Sequence, residues 1–376
     1  MTQQHFARTI PYDRLVAGLD QAVAANLVTS RQGPGGLMLY KYTNSCVYDR
    51  GWNDFSMVAR GLILDPGAQR IVATPFPKFF NLGEMDETIP DEPFEVYEKL
   101  DGSLIILFHH ADRWNAVTRG SFESAQGRWA QDIVDRTDLS VLVPGTTYLA
   151  EAVYPENRIV VKYDESALVF LGAYDAGGFE LPYADIVTLA DRIGWRAARR
   201  YRFDSAAAMV AHADALPADD EGYVVQFASG LRLKVKGAEY RRVHALISNV
   251  TPLGIWNLMN DGDDLDTMRR VIPEELWYDF DTIRSILTER LGALQARIRA
   301  TVDAVAHLDD KQVGLSLQTL DPEARRFVFT VRKNGDPMGH PKSRHAVMQA
   351  IRPDANRLDG YEPSHKMRHF VSETTG

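Results

Sequence analysis

Lys99 stands between two apolar runs, and that placement constrains the fold more than any other feature of the chain. Residues 94–97 and 104–108 read as strands, and Asp101-Gly102 is the turn signal between them. Two strands joined in this way form a hairpin and leave Lys99 at a strand end. A lysine held there in a buried pocket suits a nucleophile, because desolvation and neighbouring cations lower an amine's pKa and raise its free-base fraction. A surface lysine beside an Asp-Gly hairpin also fits this stretch taken alone.

The chain of 376 residues is 45% hydrophobic, enough for a sizeable core, and its length suggests two domains. A single cysteine, Cys46, excludes an internal disulfide and suits a reducing cytosol, so a cytoplasmic location is expected. The N-terminus lacks the apolar core of a signal peptide, and no apolar run approaches the roughly 20 residues of a membrane span. No membrane partner is expected. The net charge of -9 argues against a generally basic nucleic-acid coat but leaves room for a local cationic groove. There is no internal repeat and no low-complexity segment.

Taken in order, residues 12–27 have helical spacing, broken by Gly33-Pro34-Gly35-Gly36. Residues 37–42 form a short strand whose tyrosines read as half-buried strand residues. A strand over 58–65 carries Arg60-Gly61, and Lys78-Phe79-Phe80-Asn81 follows. Beyond Lys99, a strand over 114–118 leads to Arg119-Gly120-Ser121-Phe122, then a helix over 126–134. Strand 148–153 carries Glu151 and precedes Pro155-Glu156-Asn157-Arg158-Ile159-Val160. A buried strand over 167–174 contains Phe170, helices follow over 183–193 and 205–215, and Glu221-Gly222 opens the next strand. In the partner strand, over 230–236, Lys234 and Lys236 sit two apart and share one face.

Lys99-x-Asp-Gly-Ser resembles the first motif of the covalent nucleotidyltransferases, the ATP-dependent ligases and mRNA capping enzymes. The Arg60/Lys78 region, the Glu151 strand, Glu221-Gly222 and Lys234-x-Lys236 resemble further motifs of that superfamily in the same order. The Glu151 strand followed by Pro-x-Asn-Arg-Ile-Val is most similar to the RNA ligase 1 family of phage-type RNA-joining enzymes. The resemblance implies that Lys99 attacks the α-phosphorus of ATP and forms a lysyl-AMP. It implies that Arg60 and Lys78 contact the ATP phosphates, with Phe79, Phe80 and Asn81 shaping the pocket, and that Arg119 contacts phosphate or RNA, though a solvated turn arginine fits as well. Lys234 and Lys236 would stabilise the transition state, and Phe170 would stack on the base. Glu98, Asp101 and Gly102 would complete the ATP site, with Gly102 admitting the nucleotide close to the backbone. Glu151 would contact the ribose or the water shell of the catalytic Mg²⁺, which it and Glu221 would hold, with Mn²⁺ as a substitute, and Asn157 and Arg158 would hold their loop or touch substrate.

The fold class implied is α+β. An N-terminal nucleotidyltransferase domain of antiparallel sheets with flanking helices covers residues 1–248, and an all-helical domain covers residues 249–376. The second part has helical spacing over residues 239–248, from 251 on, 281–307, 311–320, 322–329 and 341–351, and no β-rich stretch of the kind capping enzymes and DNA ligases carry there. Its end clusters Arg325, Arg326, Arg332, Lys333, Lys342, Arg344, Arg352, Arg357, Lys366 and Arg368, with His340, His345, His365 and His369 interspersed. This basic end reads as an RNA contact surface or as a solvated helix face, and its histidines match no zinc pattern. The acidic run 261–264 reads as a metal aid or a helix cap. The implied substrate is RNA with 5′-phosphate and 3′-hydroxyl ends, broken tRNA being the family-based expectation. The chain has no Gly-x-x-x-x-Gly-Lys-Ser/Thr loop with which to prepare those ends itself, and the sequence leaves open whether a separate kinase-phosphatase does so. The alternatives are a GTP-using capping-type enzyme and a catalytically inactive RNA-binding module.

Overall fold

The computed structural model describes residues 4–85, 89–364 and Met367. Its strands in chain order are β1 (Val28–Gln32), β2 (Met38–Tyr42), β3 (Arg60–Asp65), β4 (Arg70–Ala73), β5 (Phe80–Asn81), β6 (Phe94–Glu98) and β7 (Ser103–His110). They continue as β8 (Arg113–Thr118), β9 (Thr147–Val153), β10 (Ala167–Tyr174), β11 (Arg196–Ala197), β12 (Arg200–Tyr201), β13 (Gly222–Phe227) and β14 (Arg232–Lys236). Three sheets result, with orders β1-β2-β3-β4, β11-β10-β9-β7-β8 and β12-β6-β13-β14-β5. Pairing is antiparallel except where β11 joins β10 and β5 joins β14.

Strand patterning explains the layers. In β7, Ile105 and Leu107 pack with residues from helices Ala125–Val134 and Tyr183–Ile193 on one side of the second sheet. Leu104, Ile106 and Phe108 face the other way, against Leu39 and Ile63 of the first sheet. A strand covered on both faces is apolar at consecutive positions. Helix Tyr12–Ala24 closes the far side of the first sheet through Leu15, Leu19 and Ala22. In the third sheet, Val96, Tyr223, Val225, Leu233 and Val235 bury against Met209 and Ala213 of helix Ala206–Asp214. The period of two then assigns Tyr97, Val224, Arg232, Lys234 and Lys236 to the opposite face.

Two expectations need correction. Residues flanking Lys99 do not form a hairpin: β6 belongs to the third sheet and β7 to the second, so residues 99–102 carry the chain from one sheet to the other. The Lys99 N–H donates to the Gly222 carbonyl at 3.0 Å and extends the β6–β13 ladder by one residue. Gly102 then passes so close to β9 that a Cβ there would lie 2.4 Å from the Ala152 carbonyl oxygen. Asp-Gly thus marks a close crossing rather than a two-residue turn. The strand expected over 58–65 begins only at Arg60, because Asn53 and Ser56 form a reciprocal capping box that makes Asp54–Val58 a helix.

Residues up to Arg242 form one compact unit, and a second begins at Val243. The helix Ala238–Ser248 runs across that boundary. In the second unit the regular elements are helices, the longest being Trp277–Ala304, with Phe280, Ile283, Leu287, Leu294 and Ile298 on its buried side. No helix among the described residues is long and apolar enough to cross a membrane.

Candidate active site

The crossing between sheets carries the nucleophile candidate into a charged cleft. Lys99 Nζ lies 2.7 Å from Glu221 Oε2, and Lys236 Nζ lies 2.9 Å from Glu221 Oε1. Glu221 is 4% exposed, so its charge depends on these two ammonium groups. Burial pulls the Lys99 pKa down, but the carboxylates of Glu221, Glu151 and Asp101 outweigh it and raise the amine above its ordinary value. The expectation of a nucleophile deprotonated by neighbouring cations is therefore reversed in the ligand-free protein: the nearest charges are acidic and hold the proton. Conversely, burial raises Glu221, but Lys99 and Lys236 more than compensate and keep it ionised below the usual carboxylate range.

Glu151 projects from β9 at a position paired with Leu104 of β7 and Val169 of β10. It forms no ion pair or hydrogen bond among the described residues. Burial, reinforced by Glu221 and Asp101, pushes its carboxyl up to about 8, with Lys99 and Arg60 opposing. A half-buried carboxyl with no hydrogen bond is a fitting place for a cation. The expected metal pair is altered, however, because both oxygens of Glu221 are held by lysines. No cluster of three or more His, Cys, Asp or Glu among the described residues is arranged to hold a metal ion. Glu151 alone suits a hydrated Mg²⁺, an ion that keeps several waters and binds through one or two carboxylates plus substrate phosphates.

Beyond Glu151 the site turns cationic. Arg60 and Lys234 both lie over the Phe79 ring, at 5.4 and 5.0 Å from its centroid. Burial and the nearby charges of Arg60, Lys78, Lys99 and Lys236 drive the Lys234 pKa well below its ordinary value. Lys78 is 3.6 Å from Glu84 and packs over Phe80 and Trp52. Arg119 Nη1 donates to the Tyr42 hydroxyl at 2.7 Å. Burial raises that phenol, yet Arg119, Arg60, Lys78 and Lys41 together lower it below its ordinary value. Such a concentration of cations, with Glu84 beside Lys78 and Glu151 acting on Arg60, is built to receive a polyanion.

Asp101 organises the crossing rather than lining it. Its Oδ2 accepts the N–H groups of Val160 and Val161 at 2.7 and 2.9 Å, its Oδ1 accepts the Tyr240 hydroxyl at 2.9 Å, and its own N–H donates to the Tyr163 hydroxyl at 2.8 Å. Gly102 answers to β9, as described above. Asn157 clamps the same loop, accepting from Ser103 at 3.0 Å and donating to the Ala152 carbonyl at 2.8 Å. Arg158 donates to the Val160 carbonyl at 3.1 Å.

Two expected nucleotide contacts fall elsewhere. Phe170 is 1% exposed and packs with Tyr148 and Trp195 in the core behind the second sheet. It pairs with Ala150, one residue out of phase with Glu151, so the pleat turns it away from the site. The Glu98 carboxylate is held by Arg196 Nη1 and the Arg199 N–H, each at 3.1 Å, and ties β6 to its neighbours. In the second unit, Arg332 bonds Asp310 and the carbonyls of Val305 and Leu308, Arg344 bonds the Met259 carbonyl, and Arg352 lies over Trp256. These bases hold helices together. Asp264 caps the helix Leu265–Val271. Residues 365, 366, 368 and 369 of the basic end lie outside the described residues. Tyr42, Trp52, Tyr163 and Tyr240 escaped the sequence reading, since a tyrosine in a strand or helix carries no local sign of its partner.

Residues 58–240 match the family model for RNA ligase. A protein of Autographa californica nuclear polyhedrosis virus, named as a bifunctional polynucleotide kinase/RNA ligase, is 27% identical over 215 residues, covering 49% of this chain and 30% of the relative. A Thermovibrio ammonificans protein named as an RNA ligase is 26% identical over 230 residues, covering 55% of this chain and 59% of its own length. The chain therefore matches less than two thirds of either relative. Among solved structures, an archaeal ATP-dependent RNA ligase is similar with a TM-score of 0.49 and 17% identity, over 74% of this chain and 83% of that one.

Proposed function

We propose that the protein is an ATP-dependent RNA ligase acting through a lysyl-AMP on Lys99. The observation that carries this reading is the polarity of the site. Lys99 lies among carboxylates, with Glu221 at 2.7 Å, and the cations Arg60 and Lys234 gather at the Phe79 ring. A triphosphate fits this arrangement in one direction, with its α-phosphorus at the amine and its β- and γ-phosphates among the cations.

In the first step the Lys99 ammonium gives its proton to the Glu221 carboxylate, 2.7 Å away, and the Nζ lone pair attacks the α-phosphorus. An N–P bond forms as the P–O bond to pyrophosphate breaks. Lys236 and Lys234 stabilise the charge that builds on the phosphates, and Phe79 keeps Arg60 and Lys234 apart on one ring. Mg²⁺ held by Glu151 would supply Lewis-acid stabilisation and a counter-charge that offsets the carboxylates around Lys99. AMP then passes to a 5′-phosphate on RNA, and a 3′-hydroxyl displaces it to close the phosphodiester. Broken tRNA is the proposed substrate class, with a separate end-healing kinase-phosphatase as partner and the cytoplasm as the location. The viral relative named as joining a kinase to a ligase supports that pairing.

The test is incubation with α-labelled ATP, or GTP in parallel, and Mg²⁺, on wild type and Lys99→Ala. Covalent label from ATP, lost in the variant and chased into joined 5′-phosphorylated RNA, is expected. Label from GTP would move the assignment to capping chemistry. No label on protein shown to be AMP-free would leave an inactive RNA-binding module.

A further inference from the structure

One short stretch supplies an outer strand to both the second and the third sheet, and it is rich in arginine. β11 is the outer strand of the second sheet, and β12 is the outer strand of the third. Residues 192–202 contain both and carry Arg192, Arg196, Arg199, Arg200 and Arg202 with no acid among them. The chain as a whole has 51 acids against 42 lysines and arginines, so this stretch reverses its charge locally. Two of the five have partners within the protein. Arg196 bridges Glu98 and Glu165 at 3.1 and 2.7 Å. Arg200 bonds Glu95 at 3.0 Å and lies over the Tyr183 ring. Arg192, Arg199 and Arg202 are exposed, and among the described residues their side chains have no hydrogen bond or ion pair.

The ordinary reasons for surface charge do not cover all three. A cation in the last turn of a helix is favoured, which accounts for Arg192 near the end of helix Tyr183–Ile193. Charges on an edge strand deter pairing with another chain. Yet β11 and β12 have two residues each, and a strand so short is already a poor template. Nothing in the fold calls for the charges of Arg199 and Arg202.

Their place relates them to the site. The Arg199 carbonyl accepts the Glu98 N–H at 2.8 Å, one residue before Lys99. Arg200, opposite Tyr97, stands on the face of the third sheet that carries Lys234. The arginines therefore start beside the strand that delivers the nucleophile and lead to the free edge of its sheet.

We propose that Arg192, Arg199 and Arg202 bind backbone phosphates of single-stranded RNA, the strand whose 5′-phosphate receives AMP. A guanidinium pairs two N–H groups with phosphate oxygens and keeps its charge at any working pH. This rests on the ligase reading for RNA as the polyanion, but not for the presence of a polyanion surface.

The experiment measures binding of 5′-phosphorylated single-stranded RNA over a salt series, by fluorescence anisotropy. It compares wild type, Arg192→Gln/Arg199→Gln/Arg202→Gln and Arg192→Lys/Arg199→Lys/Arg202→Lys. A fourth protein, Arg14→Gln/Arg50→Gln/Arg299→Gln, loses the same charge from scattered exposed positions. Lysyl-AMP formation from ATP and AMP transfer to RNA are measured on all four. The first glutamine variant is expected to bind RNA about tenfold or more weakly, with the slope of log K against log salt smaller by about 2, the sum of three single-strand phosphate contacts. Its KM for RNA should rise, while lysyl-AMP formation stays within about twofold of wild type. The lysine variant should recover most of the salt slope, and the scattered variant should keep the affinity of wild type. An unchanged affinity and slope in the first variant would overturn the proposal. An equal loss in the scattered variant would overturn it too, by making net charge the cause. Lysyl-AMP formation falling as far as RNA binding would move these arginines to the nucleotide site. Wild type that binds RNA through them without forming lysyl-AMP would defeat the ligase reading and leave the surface standing. Wild type that forms lysyl-AMP and binds no RNA would defeat the surface alone.

Discussion

Lys99 Nζ is held 2.7 Å from Glu221 Oε2, so the proposed nucleophile rests as an ion pair. Glu221 and the other carboxylates raise the Lys99 pKa, and removing one of them must lower it. Glu221→Gln should therefore shift the pH dependence of Lys99 labelling by an amine-selective reagent to lower pH, read by peptide mass spectrometry. An unchanged profile would show that Glu221 does not set the charge of Lys99. The same variant leaves Lys236 without its partner, and adenylylation should fall even though the amine is easier to deprotonate.

Glu151 gives a pH dependence of definite sign. Its carboxyl is raised by burial to about 8, above its value of about 4.3 in an unfolded chain. The folded protein then binds more protons than the unfolded one between those values. The contribution to stability is complete below about pH 4.3 and is lost as pH rises through 8. The thermal midpoint of the ligand-free protein should fall from pH 5 to 9 by more in wild type than in Glu151→Gln, where the side chain stays neutral. Mg²⁺ should recover part of the loss at pH 9 in wild type and little in the variant. Parallel curves for the two proteins would contradict this assignment.

Lys234 should trade stability for function. Burial and four surrounding cations oppose its charge, so the empty site carries a cost that Lys234→Met removes. That variant is expected to melt higher than wild type while forming lysyl-AMP about 10²-fold more slowly or worse, the scale for losing one preorganised charge contact. A variant that melts lower would mean that an interaction within the protein supports Lys234.

These expectations show how far the sequence was readable. Lys234 and Lys236 announced their shared face because a strand has a period of two, and the structure keeps them on it. Helix Tyr183–Ile193 and strand β10 fall where periodicity put them. The pairing of β6 and β7 did not, because local turn chemistry says that a chain bends and not which sheet receives it. Asp101 lies 62 residues from Tyr163 and 139 from Tyr240 along the chain, yet bonds both, and no local pattern encodes such a meeting. Glu221 read as an acid of the site, but its capture by both lysines is a matter of three-dimensional distance alone.

The crossing itself is open to test at Gly102. An alanine there would drive a Cβ to 2.4 Å from the Ala152 carbonyl oxygen, a contact that only a backbone shift relieves. Gly102→Ala should lose stability on the order of 1–3 kcal/mol, the usual range for overpacking, and should adenylylate more slowly than its folded fraction explains. Denaturant unfolding with adenylylation of the folded protein separates the two effects. Full activity with unchanged stability would place the motif glycine in open space.

Phe170 and Phe79, both expected at the nucleotide, stand in different surroundings. Phe170 packs between Tyr148 and Trp195 at 5.8 and 5.1 Å between ring centroids, in the core behind the second sheet. Phe79 lies under both Arg60 and Lys234. Phe170→Leu should cost stability through lost core packing and leave the KM for ATP near that of wild type. Phe79→Leu should do the reverse, raising that KM severalfold as the two cations lose the ring that spaces them, with a smaller effect on the unfolding midpoint. A rise in KM confined to Phe170→Leu would return the base-stacking role to the buried strand, because only a nucleotide contact, and not a general loosening of the core, would separate affinity from stability in that direction.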